Sequence, residues 1–110
     1  MAFKLLIILV LLLLIPSTQA HNNEIILFSG SSYHYNNESM AIIFHDTDTK
    51  ISNPNNRYVE FWTIYKGELV SRDICYNYDY CYLKGIKINI NTIFFGKEAV
   101  AVFFNVVDVL

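Results

Sequence analysis

Residues 86–91 read Ile86-Lys87-Ile88-Asn89-Ile90-Asn91, an unbroken alternation of apolar and polar side chains. A period of two is that of a β-strand, in which successive side chains point to opposite faces of the sheet. The three isoleucines are therefore expected to share one face, and the lysine and the two asparagines the other. This stretch predicts a half-buried strand, and it makes period two the pattern to follow through the rest of the chain.

Five further segments have the composition of strands. Residues 58–65 are aromatic and β-branched, and because Glu60 resists burial we expect Val59 and Phe61 to face inward. Residues 99–107 are apolar on both faces apart from Asn105, which suits a strand covered on both sides or one whose outer face meets a partner. The remaining predicted strands are residues 24–29, 40–45 and 68–74. Turn-forming residues separate these segments and no amphipathic helix is evident, which indicates an antiparallel sandwich or barrel.

The N-terminus has the pattern of a signal peptide. Lys4 precedes an apolar run over residues 5–15, and the small residues Thr18 and Ala20 occupy the positions that signal peptidase requires. A membrane-spanning helix is the alternative, but it needs roughly 20 apolar residues, more than this run provides. We predict a cleaved signal peptide over residues 1–20 and a single domain over residues 21–110, located outside the cell or in the endolysosomal lumen.

Charge and cysteine content restrict the partners of the mature domain. The signal segment holds one of the eight Lys and Arg residues and none of the ten acids, which leaves a net charge of −3. This balance argues against a nucleic-acid partner and against electrostatic docking on anionic lipid.

Cys75 and Cys81 form an even pair, which predicts a disulfide in an oxidising compartment rather than free thiols or a metal site. The sequon Asn37-Glu38-Ser39 lies in a polar stretch, so Asn37 is a predicted glycosylation site.

Catalytic patterns are weak throughout the chain. The run His45-Asp46-Thr47-Asp48 has the donors of a cation site, but the same residues describe a strand end followed by an Asp-rich turn, which we favour. His21, the expected first residue after cleavage, could chelate copper only with a second histidine on a larger scaffold. With no nucleophile elbow and no glycine-rich loop after a strand, the sequence predicts neither an enzyme nor a metal or other cofactor.

Residues 65–90 carry the most distinctive motif. After the turn at Lys66-Gly67, the chain runs through Asp73-Ile74-Cys75, five intervening residues and Cys81-Tyr82-Leu83-Lys84-Gly85 into the alternating strand. This resembles the ML (lipid-recognition) family of secreted sterol-transfer and phospholipid-transfer proteins, whose disulfide loop has the same spacing. The later stretch from Gly96 to Val102 resembles the family's penultimate strand.

The chain departs from the family pattern at several positions. Tyr82 replaces the family's proline, one lysine is missing before Gly85, and the family's other disulfides are absent. A final strand carrying a cysteine would be expected after the position of Leu110. A sandwich without that strand would expose an unpaired edge beside residues 99–107, which predicts a partner strand, a homodimer through the open edge or poor solubility.

The resemblance implies a small antiparallel immunoglobulin-like β-sandwich, all-β in class, whose sheets part to hold a sterol or phospholipid tail. It implies extraction and delivery of lipid during transient membrane contact, without catalysis. The inward apolar residues that would line the slot are Phe61, Ile86, Ile88, Ile90, Val100, Val102 and Phe104.

The competing hypothesis is a secreted immunoglobulin-like interaction module with a closed core and no lipid ligand. It would bind a protein through exposed aromatic residues, among them Tyr76, Tyr78, Tyr80 and Tyr82. The usual immunoglobulin framework is absent, because Trp62 precedes both cysteines instead of lying between them.

Overall fold

The computed structural model describes residues 24–110, so the predicted signal peptide at residues 1–20 lies outside the described residues. The strands are β1 (Glu24–Phe28), β2 (Ser32–Tyr35), β3 (Met40–Asp46), β4 (Tyr58–Tyr65), β5 (Glu68–Tyr76), β6 (Tyr80–Leu83), β7 (Ile86–Phe95) and β8 (Val100–Val109). A short 3-10 helix, Pro54–Asn56, lies in the connection between β3 and β4. Within residues 24–110, no helix has the length and apolarity to cross a membrane.

The strands form two antiparallel sheets of four strands each. The first sheet has the order β1-β8-β7-β6 and the second the order β2-β3-β4-β5. This confirms the predicted fold class, an all-β sandwich. Each predicted strand corresponds to one of the strands above, whereas β2 and β6 were not predicted.

The core lies between the inner faces of the sheets. Val59 and Phe61 of β4 are fully buried, and so are all three isoleucines of the alternating stretch on β7, as predicted. The rings of Phe61 and Phe104 meet across the two sheets with their centroids 5.9 Å apart. A bulge in β7 between Ile90 and Thr92 shifts the alternation by one residue, so Ile93 also points inward.

The prediction of an open edge beside residues 99–107 is wrong. β1 pairs with β8 from Glu24 opposite Asn105 to Phe28 opposite Ala101, while β7 pairs with β8 on its other side. The position beside β8 is thus filled by the first strand of the chain rather than by a last one. The outermost strands are β1 and β6 in the first sheet, and β2 and β5 in the second.

Chain connections, the disulfide and hydrogen bonds join the two sheets. The turn after β1 carries the chain into β2, and its Gly30, with φ +86°, takes the left-handed conformation that glycine adopts readily. The predicted disulfide between Cys75 and Cys81 is confirmed, and it links β5 to β6 with a Cα–Cα distance of 5.6 Å. Near the end of β2, the Tyr35 hydroxyl donates a hydrogen bond to the Lys84 carbonyl in the turn between β6 and β7.

The loop between the disulfide-linked strands is fixed by Asn77, a buried polar residue. Its Nδ2 donates to the Pro54 carbonyl at 3.0 Å, and its Oδ1 accepts the Ile93 amide at 3.1 Å. Its backbone amide donates to the Arg57 carbonyl at 2.9 Å. The loop that carries Tyr78 is therefore bound to both sheets beside the disulfide.

Candidate functional site

The structure brings the predicted lipid-slot residues together in one core cluster. Six of the seven are fully buried, and Val100 is partly buried against the same cluster. The fully buried six are Phe61, Ile86, Ile88, Ile90, Val102 and Phe104. In this closed state they pack as an ordinary core, so a ligand would reach them only if the margin of the sandwich opened.

One margin of the sandwich has a surface depression of about 410 Å³ lined by Glu24, Ile25, Tyr33 and Val106, which we call the mouth. Its walls come from both sheets, with β1 and β8 on one side and β2 on the other. The ring of Tyr33 meets Phe104 edge-on, with centroids 5.9 Å apart and planes at 85°. The mouth therefore lies directly over the aromatic contact that continues from Phe104 to Phe61.

Side-chain packing closes the sandwich at the mouth. The strands β1 and β2 belong to different sheets, and none of the described strand ladders joins them. Ile25, Tyr33 and Val106 are partly buried and pack against the core cluster. Because apolar contacts have no fixed donor–acceptor geometry, they can be exchanged for contacts with an apolar ligand.

Sequence reasoning missed the mouth because it needs β2. Tyr33 stands in a polar segment that was not predicted to be a strand, while Ile25 and Val106 fell in predicted strands whose neighbours were unknown. The available signal was the spacing of Tyr33 and Tyr35, which alternate with Ser32 and His34.

The core contains a polar group close to this region. Thr63 on β4 is fully buried, and its hydroxyl lies beside the Tyr35 hydroxyl as a hydrogen-bonding neighbour. The Tyr35 hydroxyl donates its proton in a hydrogen bond to the Lys84 carbonyl. Burial raises the pKa of the Tyr35 phenol above its ordinary value of 10.0, the Thr63 hydroxyl opposes this shift, and the Asp73 carboxylate adds to it.

The run from His45 to Asp48 has the contacts of a strand end and turn. The His45 ring stacks on Trp62 at 3.6 Å between centroids, on the outer face of the second sheet. The carboxylate of Asp46 accepts the Thr47 amide at 2.8 Å, and that of Asp48 accepts the Lys50 amide at 3.0 Å. Among residues 24–110, no group of three or more His, Cys, Asp and Glu side chains is arranged to hold a metal ion.

Four exposed tyrosines surround the disulfide loop, with Tyr76 on β5 of the second sheet and Tyr80 and Tyr82 on β6 of the first. Tyr76, Tyr78, Tyr80 and Tyr82 are between 52% and 62% exposed, and we call them the tyrosine surface. Lys87 places its Nζ 4.6 Å from the ring centroid of Tyr80 and 5.3 Å from that of Tyr82. These cation–π contacts hold two of the four rings in place on the outer face of the first sheet.

The predicted glycosylation site lies at the tip of the turn between β2 and β3. Asn36, Asn37 and Glu38 all have positive φ, and each is exposed. The Ser39 hydroxyl of the sequon donates to the Asn36 carbonyl at 2.6 Å. Asn37 therefore has the exposure that attachment of a glycan requires.

Comparison of the chain with protein-family models, with curated proteins and with solved structures gives no match.

Proposed function

We propose that this protein is a secreted lipid-binding or lipid-transfer protein that holds a sterol or phospholipid tail between its two sheets. The observation that carries the proposal is the mouth, where apolar side chains of both sheets meet without a backbone ladder over the Tyr33–Phe104–Phe61 contacts. The disulfide of the ML-like motif and the two-sheet architecture add support.

Binding would begin with separation of β1 from β2 and displacement of Tyr33 from Phe104. The inserted tail would then contact the seven slot residues and replace the side-chain contacts that the opening removes. Each buried methylene contributes about 0.8 kcal/mol, so hydrophobic burial drives binding without any catalytic group. Loading and unloading would take place during transient contact with a membrane, since a free lipid tail is poorly soluble.

The test is lipid uptake by the purified mature protein. Organic extraction followed by mass spectrometry should recover lipid in near-stoichiometric amount, and a fluorescent lipid analogue should bind. Ile25→Asp should abolish uptake because it replaces an apolar side chain of the mouth that packs against the core with a second carboxylate beside Glu24. The matched control is Val107→Asp, which changes a 48% exposed residue of β8 that does not line the mouth. Absence of lipid and of analogue uptake in the wild-type protein would refute the proposal.

A second candidate function is protein recognition through the tyrosine surface. It is favoured by the exposure of all four rings and by the ordering of Tyr80 and Tyr82 under Lys87. Under this alternative, wild-type protein carries no lipid, and the double variant Tyr80→Ala/Tyr82→Ala loses a partner that Ile25→Asp still binds. Lipid uptake that persists in the tyrosine variant would favour the first candidate.

We also propose export through the secretory pathway with glycosylation at Asn37. Protein recovered from the medium of eukaryotic cells should begin at His21 and lose mass on treatment with an N-glycosidase. Ser39→Ala removes the sequon and should abolish that loss, whereas Ser39→Thr keeps the sequon and should retain it. A protein that stays in the cell with its first 20 residues attached would contradict the export.

A further inference from the structure

The bulge in β7 places two consecutive polar side chains on the outer face of the first sheet. The register shifts between Ile90 and Thr92, so Asn91 is the extra residue of the strand. Ile90 and Ile93 are both buried, which leaves Asn91 and Thr92 on the outer face. Bulges redirect side chains in this way, and they are common beside functional sites.

Asn91 uses this position to hold a carboxylate on the second strand away. Its Nδ2 donates to Glu24 Oε2 at 2.8 Å and also to the side-chain oxygen of Asn105. Glu24 belongs to β1 and Asn105 to the intervening β8, so the contact crosses about 10 Å of the sheet. Asn89 donates in turn to Asn91 Oδ1 at 3.1 Å. This amide network sets the orientation of the Glu24 carboxylate.

A depression of about 380 Å³ adjoins the carboxylate, and we call it the aromatic depression. It is lined by Glu24 of β1, Phe103 of β8, and Thr92 and Phe94 of β7. Phe94 is 55% exposed and Phe103 is half-buried. Among the cation–π contacts of the described residues, none involves either of these two rings. Both rings are thus free of a cation from residues 24–110.

The lining of the aromatic depression can accept hydrogen bonds but has no side-chain proton left to donate. The Thr92 hydroxyl donates to the Asn91 carbonyl at 2.7 Å. What remains is a carboxylate, the lone pairs of a hydroxyl and two aromatic rings. The ion pair found within residues 24–110 joins His45 to Glu60, so no described cation neutralises Glu24. The chemistry of this lining is complementary to a cation.

We propose that the aromatic depression binds a quaternary ammonium group, such as the trimethylammonium group of choline. This cation has an apolar surface and no N–H groups, so it suits two aromatic rings beside one carboxylate. A primary ammonium is more strongly hydrated and would lose more on leaving water. A hard metal ion needs several oxygen ligands, and residues 24–110 hold no group of three or more metal-binding side chains. The proposal goes beyond the lipid-binding function, because this depression lies on the outer face of its sheet.

The experiment compares choline with 3,3-dimethylbutanol, an uncharged isostere in which a tert-butyl group replaces the trimethylammonium group. Binding to the purified mature protein is measured by NMR chemical-shift titration without lipid. Glu24→Gln keeps the shape of the side chain and removes its charge, so choline binding should weaken about tenfold while isostere binding stays unchanged. The matched control is Glu68→Gln, which changes an exposed carboxylate on β5 and should leave both affinities as they are.

A second variant tests the aromatic rings. Phe94→Leu keeps an apolar side chain but removes the ring, so it should weaken choline binding about fivefold and change isostere binding little. Phe28→Leu is its control, because Phe28 is 52% exposed and lies outside the aromatic depression. The site is overturned if wild type does not bind choline or binds both probes equally. Choline binding that neither Glu24→Gln nor Phe94→Leu weakens would overturn it as well.

Vesicles distinguish the two sources of the quaternary ammonium group. Sedimentation of the protein with phosphatidylcholine vesicles, lost in Glu24→Gln and competed by free choline, would identify the lipid headgroup as the ligand. Choline binding without such sedimentation would identify a soluble compound, and either result upholds the site. Lipid uptake through the mouth is measured separately with Ile25→Asp, so failure of the lipid-binding function and failure of this site are distinguishable.

Discussion

Tyr35 shows how one side chain can bridge the two sheets and couple their contact to pH. Its hydroxyl donates to the Lys84 carbonyl, and burial raises the pKa of the phenol above 10.0. The unfolded chain therefore loses this proton at a lower pH than the folded protein does. It follows that the stability gained from a protonated Tyr35 is complete below pH 10 and declines as the pH rises toward the folded pKa.

We predict that the free energy of unfolding falls as the pH rises above 10.0, and that Tyr35 accounts for part of the fall. Denaturant titrations across this range should show a smaller decline for Tyr35→Phe than for wild type. Tyr78→Phe is the control, because Tyr78 is 57% exposed in the loop beside the disulfide. Equal slopes for wild type and Tyr35→Phe would contradict the prediction.

Sequence alternation could predict which residues face inward, but not which side chains they contact. The inward direction of Val59 and Phe61 places Thr63 on the same face of its strand, as the structure shows. Nothing in the sequence indicates that its hydroxyl neighbours that of Tyr35, because the two residues lie on strands distant in the chain. The burial of Ile93 was equally inaccessible, since it results from a bulge that breaks the period.

The strand β7 is the element on which the core depends most, and its two faces should respond differently to substitution. Ile88→Ala removes a fully buried side chain and should cost about 2–5 kcal/mol in the free energy of unfolding. Lys87→Ala, one residue away on the outer face, should cost about 1 kcal/mol or less through its lost contacts with Tyr80 and Tyr82. Denaturant unfolding of both variants tests this, and similar costs would contradict the assignment of the faces.

The disulfide between β5 and β6 closes a short loop at one margin of the sandwich. Its replacement in Cys75→Ala/Cys81→Ala should lower the free energy of unfolding by about 2.5 kcal/mol through the entropy returned to the unfolded chain. Equilibrium unfolding of the variant beside the oxidised wild type measures this difference. A variant as stable as the oxidised wild type would show that loop closure contributes nothing here.

Short strands were the elements that the sequence did not reveal. The four residues of β2 and the four of β6 lie in segments rich in Tyr and Asn, where turn residues obscure the alternation. Both become strands because they can pair with β3 and β7, whose sequences are strongly strand-forming. Tertiary pairing thus decides their conformation, and it also creates the mouth.

At the scale of the whole molecule, the fold class was predictable and the strand order was not. Period two and regular turns are local properties, and they sufficed for an all-β sandwich. The pairing of β1 with β8 joins residues near opposite ends of the described chain, and no local pattern encodes it. Because the sequence does not show that β1 pairs with β8, an open edge was expected beside β8.

Strand β1 is the edge of the first sheet that borders the mouth, and we predict that it supports a reversible homodimer. Within residues 24–110, β1 is hydrogen-bonded to β8 on one side only, and it is apolar after Glu24. Sedimentation equilibrium should show a monomer–dimer mixture for wild type, and monomer for Ile26→Asp, which places a charge on this edge. A wild-type protein that is monomeric at every concentration would contradict the prediction.

Under the proposed lipid-binding function, the location of β1 gives the predicted dimer a consequence for lipid uptake. The strand is at once the free edge of its sheet and one wall of the mouth, so a second copy paired with β1 would obstruct access to the core. Self-association and loading then compete by mass action. Lipid uptake per protein molecule should decline as the protein is concentrated and recover on dilution. In a compartment where the protein is concentrated, most of it would then be dimer whose mouth is blocked.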